Sequence, residues 1–253
     1  MKRLLSLLTL ATALVAPAVS ASEEIRLDTA PIDVRDLASL QAGARTFVNY
    51  CLNCHSASMM RYNRLGDIGL TEAQIKDNLM FTAEKTGELM TVALSRKDAK
   101  EWLGVAPPDL SVIARSRGAD WLYTYMRGFY RDRNAASGWN NTAFPNVSMP
   151  HVLWQLQGER ILKEEIVKDA SGKELRDEHG LPRKQMRFET AAAGTLTPIE
   201  YDIVARDLVN YLVWMAEPNQ VTRKQVGVVV MFALFLLIAL TYFLYREFWK
   251  DVH

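Results

Sequence analysis

Cysteine is nearly absent from this chain: two in 253 residues, at positions 51 and 54. That excludes a disulfide framework between distant segments, and it excludes a four-cysteine zinc site. Histidine is scarce as well, with four in all. Neither charge sign dominates, because the formal net charge is +1, and no run of Lys and Arg forms a cluster suited to nucleic acid. There is no internal repeat and no Gly-rich phosphate loop, which leaves out the common nucleotide-binding architectures. Long apolar runs are missing except at the two ends. What remains is a chain with 49% hydrophobic and 23% charged residues, globular in composition and long enough for one or two domains.

The two cysteines are spent on one short stretch, Cys51-Leu52-Asn53-Cys54-His55. This is C-x-x-C-H, the pattern for covalent attachment of a c-type haem. Two thiols three residues apart can add to the two vinyl groups on one porphyrin edge, and the histidine that follows reaches the iron as an axial ligand. A thioredoxin-like dithiol does not need the trailing histidine. A zinc site needs further ligands that no other cysteine supplies.

The N-terminal apolar run opens with Lys2 and Arg3, passes through Leu4, Leu5, Leu7, Leu8, Leu10 and Val15, and ends at Val19-Ser20-Ala21. This predicts a cleaved secretory signal over residues 1–21. The C-terminal run, Val226 to Tyr245, holds twenty residues without a charge. At about 1.5 Å per residue it spans a hydrocarbon core of about 30 Å. Arg223 and Lys224 flank it on one side and Arg246 and Lys250 on the other, with Tyr242, Tyr245, Phe248 and Trp249 as an aromatic belt. The expected organisation is a periplasmic haem domain over 22–222 and a membrane anchor with a short cytoplasmic tail over 223–253. Basic residues at both ends account for more than the whole net charge and leave the external part at −3. Mild acidity of that kind would steer a basic docking partner.

Along the external part, 22–36 reads as an extended arm. Leu37, Leu40, Ala44, Phe47, Val48 and Cys51 recur at helical spacing, so a helix should deliver the attachment turn at its C-terminal end. Residues 56–69 read as loop. Thr71 to Gln74 is a capping box that should open a helix to about Phe81. A further helical stretch from Ser95 to Leu103 should stop at Gly104. Pro107-Pro108 makes 105–111 stiff and extended, which suits either a plain linker or a wall against a porphyrin face. Asp120 is a candidate cap for a helix carrying Leu122, Tyr125, Met126 and Phe129 on one face. Residues 131–148 read as a long loop, and its two glycosylation sequons are taken as chance matches. The charged segment 157–190 predicts a solvent-facing hairpin, with His179 on the surface. Thr197-Pro198-Ile199-Glu200 caps a last helix expected to pack on the first.

The residue opposite His55 decides between an electron carrier and an open-site haem protein. Met59 and Met60 follow His55 too closely to reach round the ring. Met126 and Met215 lie on apolar helix faces and suit core packing. Met149 stands in an irregular loop about a hundred residues downstream of the attachment motif, with Pro150 stiffening the chain behind it. It is the favoured sixth ligand, and His151 is its competitor.

The order of these motifs resembles the cytochrome c1 family, in its proteobacterial form. The resemblance is carried by Phe47-Val48-Asn49-Tyr50 running into CLNCHS, by APPDLS at 106–111, by FPNVSMPHVLWQLQ at 144–157, and by VWMAEP at 213–218 before the anchor. It covers nearly the whole mature chain, the 157–190 insertion least. It implies a mainly α, class I c-type cytochrome domain with loop insertions and one C-terminal transmembrane helix. It further implies one haem c, with Cys51 and Cys54 as thioether anchors and His55 and Met149 as axial ligands. Pro107 and Pro108 would lie beside the haem. Arg117, the second Arg of Arg115-Ser116-Arg117, would face a propionate. The implied partners are cytochrome b, a Rieske iron–sulfur protein and a soluble periplasmic cytochrome c, at a bacterial inner membrane. Two rivals stand beside it: a tethered cytochrome c subunit of another respiratory oxidase, and an open-site c-haem enzyme or sensor.

Overall fold

A computed structural model describes residues 26–169, 171–176 and 180–251. The expected signal segment and His179 lie outside the described residues. Helix α1, Leu37–Thr46, starts where the Asp36 carboxylate accepts the Ser39 amide, satisfying one of the orphan N–H groups of the first turn. Its last turn widens into a π-helical segment, Phe47–Cys51. Such widenings often sit at functional positions, and this one ends on the first cysteine of the attachment motif.

Residues 56–69 are not a loop. Strand β1, Ala57–Arg61, pairs antiparallel with β2, Leu89–Met90, and a 3-10 helix follows over Tyr62–Ile68. That segment buries Tyr62, Leu65 and Ile68 at three-residue spacing, a period that helix and strand templates both miss. Helix α2, Glu72–Asn78, carries the expected Thr71–Gln74 capping box and stops three residues before Phe81. Helix α3, Arg96–Leu103, runs from the Ser95 cap to a left-handed Gly104.

Short helix α4, Ile113–Arg117, leads into α5, Ala119–Arg127. Asp120 is not the cap. Gly118 holds that position, and the Asp120 carboxylate instead accepts the Ala30 amide at 2.8 Å, fastening the N-terminal arm. The 131–148 stretch is also more ordered than its composition suggests. Strands β3, Phe129–Arg131, and β4, Trp139–Asn141, form a hairpin. Asn140 and Asn141 are buried in it and bind backbone: Asn141 donates to the Tyr125 carbonyl and accepts the Ala143 amide. Polarity here serves buried backbone groups, not solvent.

After α6, Trp154–Gln157, strands β5, Gly158–Ile166, and β6, Lys184–Ala193, make the expected hairpin. Cross-strand pairs Lys163–Glu189 and Arg187–Glu165 line its exposed faces. Helix α7, Pro198–Ala216, has its capping box and N1 proline, and it packs on α1 as expected. Phe47 and Tyr211 meet there with ring centroids 5.5 Å apart. Ser39 donates to Asp207 at 2.7 Å, and Asn210 donates to both Ser39 and the Asp33 carbonyl. Arg127 ties α5 to α7 through a two-pronged pair with Asp202, and to the arm through Asp28. Helix α8, Gln220–Phe248, is the one described helix long and apolar enough to cross a membrane, and none of its residues is buried.

Candidate haem site

The attachment turn is closed by two backbone bonds onto one acceptor. The amides of Cys54 and His55 donate to the Cys51 carbonyl at 3.1 and 2.9 Å. Cys51 lies buried on the core side and Cys54 is exposed, and neither thiol is in a disulfide. Burial, with the Cys54 thiol adjacent, pushes the Cys51 thiol up to about 12.

The His55 ring is half-buried, and its Nδ1 lies 2.7 Å from the Pro108 carbonyl oxygen. A carbonyl only accepts, so Nδ1 carries the proton and Nε2 keeps its lone pair. Burial lowers the ring's proton affinity, and the Pro108 bond and the Asp109 charge oppose that. The 105–111 segment is therefore no free linker. Leu110 donates to the Ser56 carbonyl at 2.8 Å, and Asp109 accepts the amides of Ser58 and Ser111, each at 2.8 Å. Ser111 in turn accepts the Met59 amide at 3.0 Å. Three of these bonds, Leu110 to Ser56, Ser58 to Asp109 and Met59 to Ser111, strap the diproline segment across the residues that follow the motif, and the strap's carbonyl lies on the imidazole.

A second cluster forms around Met149. Its sulfur, half-buried, accepts the Tyr125 hydroxyl at 3.3 Å. The Tyr125 ring stacks on Trp121 at 4.9 Å and meets Phe129 edge-on at 5.1 Å. The Arg117 guanidinium lies 4.8 Å over the Trp121 ring and 5.8 Å from that of Phe144. Arg117 is exposed, and among the described residues no carboxylate pairs with it. Met149, Tyr125, Trp121 and Arg117 thus form one line of contacts, while His55 and Pro108 form the other group.

His151 is placed differently from Met149. It is 1% exposed, stacked on Phe129 at 4.8 Å, with Trp139 and Tyr201 edge-on to it. Gln157 lies near, but among the described residues neither ring nitrogen has a hydrogen-bond partner. Burial drives its pKa down to about 3. Met126, Met215 and Met60 are core residues, and Met59 is exposed.

The donor set suits a haem. Two free thiols stand three residues apart, an imidazole has its Nδ1 proton fixed by a backbone carbonyl, and a thioether lies in a partly apolar setting. Among the described residues, no group of three or more His, Cys, Asp and Glu side chains could hold a bare metal ion. Sequence reasoning missed Tyr125 and Asp109 as members of the site. Tyr125 was legible only as an apolar face residue, yet a buried tyrosine hydroxyl needs a partner, and that requirement was the available signal.

Comparison with known proteins follows the same line. The model of the Cytochrome C1 family matches residues 29–252. The chain is 47% identical, over 99% of its length and all of the relative's, to a Nitrosomonas europaea protein named ammonia monooxygenase gamma subunit. It is 44% identical to the cytochrome c1 of Allochromatium vinosum, over 90% of each chain. It is 26% identical to that of Rhodospirillum rubrum, over 86% of this chain and 83% of the relative.

Proposed function

The chain belongs to the cytochrome c1 family, haem-bearing electron-transfer subunits of the cytochrome bc1 complex, and from that premise we propose how it works. It takes electrons from a Rieske iron–sulfur protein and passes them to a soluble periplasmic cytochrome c. Haem c, when bound, supplies a reversible one-electron couple.

The chain's own residues supply the rest. Cys51 and Cys54 anchor the porphyrin edge, and His55 binds the iron through Nε2. The observation that carries this reading is the 2.7 Å contact of His55 Nδ1 with the Pro108 carbonyl, which leaves the other ring nitrogen as the donor. Met149 would supply the thioether ligand to the iron. Its half-buried sulfur is a better candidate than His151, whose ring is enclosed by Phe129, Trp139 and Tyr201. Pro107 and Pro108 would lie beside the haem, with the Pro108 carbonyl on the His55 ring. Arg117, which has no carboxylate partner among the described residues, would pair with a propionate. Helix α8 spans the inner membrane against cytochrome b, with the haem domain on the periplasmic side.

The Nitrosomonas relative, 47% identical, favours one second reading: association with an ammonia monooxygenase. Purification from detergent-solubilised membranes separates the two. Recovery with cytochrome b and a Rieske protein supports the bc1 reading, and recovery with a monooxygenase overturns it.

The ligand assignment is tested by optical spectra of wild type and Met149→Leu. The wild type should be low-spin, with a weak Met-to-iron charge-transfer band when oxidised, and the variant should lose that band. A variant spectrum identical to wild type would remove Met149 from the iron. A high-spin wild type that binds CO would replace the carrier with an open-site protein.

A further inference from the structure

We propose that Tyr125 is a positioning residue for Met149, and that its hydroxyl, by donating to the Met149 sulfur, raises the reduction potential of the haem. The inference rests on Met149 being an axial ligand.

A thioether sulfur carries two lone pairs and is a weak acceptor. With one pair committed to a metal, the second remains for a hydrogen bond. Tyr125 is placed to make that bond and little else. Its side chain is 9% exposed, and among the described residues the Met149 sulfur, at 3.3 Å, is its hydroxyl's hydrogen-bond partner. The ring cannot swing away, because Trp121 lies flat against it and Phe129 abuts its edge. The backbone is held as well. Asn141, fully buried, donates to the Tyr125 carbonyl at 2.7 Å and accepts the Ala143 amide at 2.8 Å. One asparagine thus references helix α5 to the chain that leads on to Met149. Losing the sulfur as partner would leave a buried hydroxyl unsatisfied, which opposes any drift of the loop.

The electronic consequence has a definite sign. A hydrogen bond withdraws electron density from sulfur and makes it a poorer donor. Oxidised iron needs that donation more than reduced iron does. The positive end of the O–H dipole also points toward the metal side and disfavours its extra positive charge. Both effects favour the reduced state, so both raise the potential.

The experiment is redox potentiometry on the purified holoprotein in four forms: wild type, Tyr125→Phe, Met149→Leu and the double variant. Phenylalanine keeps the ring packing, so Tyr125→Phe should melt near the wild type and retain the charge-transfer band. Its potential should fall by a several-fold to tenfold change in the reduction equilibrium, where tenfold is about 59 mV for one electron. In the Met149→Leu background the same change should shift the potential little, because the sulfur that transmits it is gone. An unchanged potential in Tyr125→Phe with the band intact overturns the inference and leaves the ligand assignment standing. An equal shift in both backgrounds overturns it too, since the hydroxyl would then act without the sulfur. A Met149→Leu spectrum identical to wild type overturns the ligand assignment and this inference together.

Discussion

Gly43 lies so close to Asp207 that a Cβ added to it would stand 2.0 Å from the Asp207 carbonyl oxygen and 2.7 Å from the Tyr211 Cβ. The two helices that frame the haem domain meet backbone to backbone at this point, and only a residue without a side chain fits. The backbone there cannot yield as a flexible side chain would. Gly43→Ala should therefore destabilise the domain by about 3 kcal/mol, the upper end of ordinary overpacking costs. Thermal unfolding of the holoprotein checks it, and an unchanged melting temperature would mean the helices can separate freely.

Asp109 is the buckle of the diproline strap. Burial alone would raise its carboxyl, but hydrogen bonds from Ser111 and Ser58 outweigh that and hold it below the ordinary value of 3.8. A carboxyl depressed on folding stabilises the fold above its unfolded value, and the stabilisation drains away as pH falls below 3.8 toward the folded value. Asp109→Asn keeps one acceptor oxygen and loses the other. It should cost about 1 kcal/mol at neutral pH and flatten stability against pH below 4. Denaturant titrations of both proteins at pH 7 and in the acid limb measure this, and parallel acid limbs would contradict it.

His151→Phe should leave the optical spectrum unchanged and the fold as stable as wild type, or more stable by about 1 kcal/mol. Phenylalanine keeps the stack on Phe129 and removes two ring nitrogens that lack hydrogen-bond partners among the described residues. A shifted Soret band or a lost low-spin signal would instead make His151 the iron ligand.

Local signals in the chain are legible where one element's own residues decide its form. The Thr71 and Thr197 capping boxes, the Ser95 start and Gly104 stop, and the charged hairpin all appear in the structure. These depend on hydrogen bonds within a few residues of sequence, so composition reveals them. Two of the differences share one cause, partners distant in sequence. Asn140 and Asn141 read as part of a long loop because their partners, the Tyr125 carbonyl and Asp132 among them, are invisible to a local pattern. Asp120 looked like a cap because its true partner, the Ala30 amide, lies ninety residues away. The 3-10 segment at 62–68 was missed because its period belongs to neither template.

By itself the sequence determined the covalent chemistry on offer, a C-x-x-C-H with no other cysteine, and the apolar run able to enter a membrane. Both are properties of contiguous residues, so no folding is needed to see them. The tertiary structure alone decided which carbonyl fixes the His55 ring, that His151 is walled into the core, and that Tyr125 reaches the Met149 sulfur. Each of these joins residues 24 to 53 positions apart or encloses one from several elements, and such meetings arise from packing, which chain order does not encode locally.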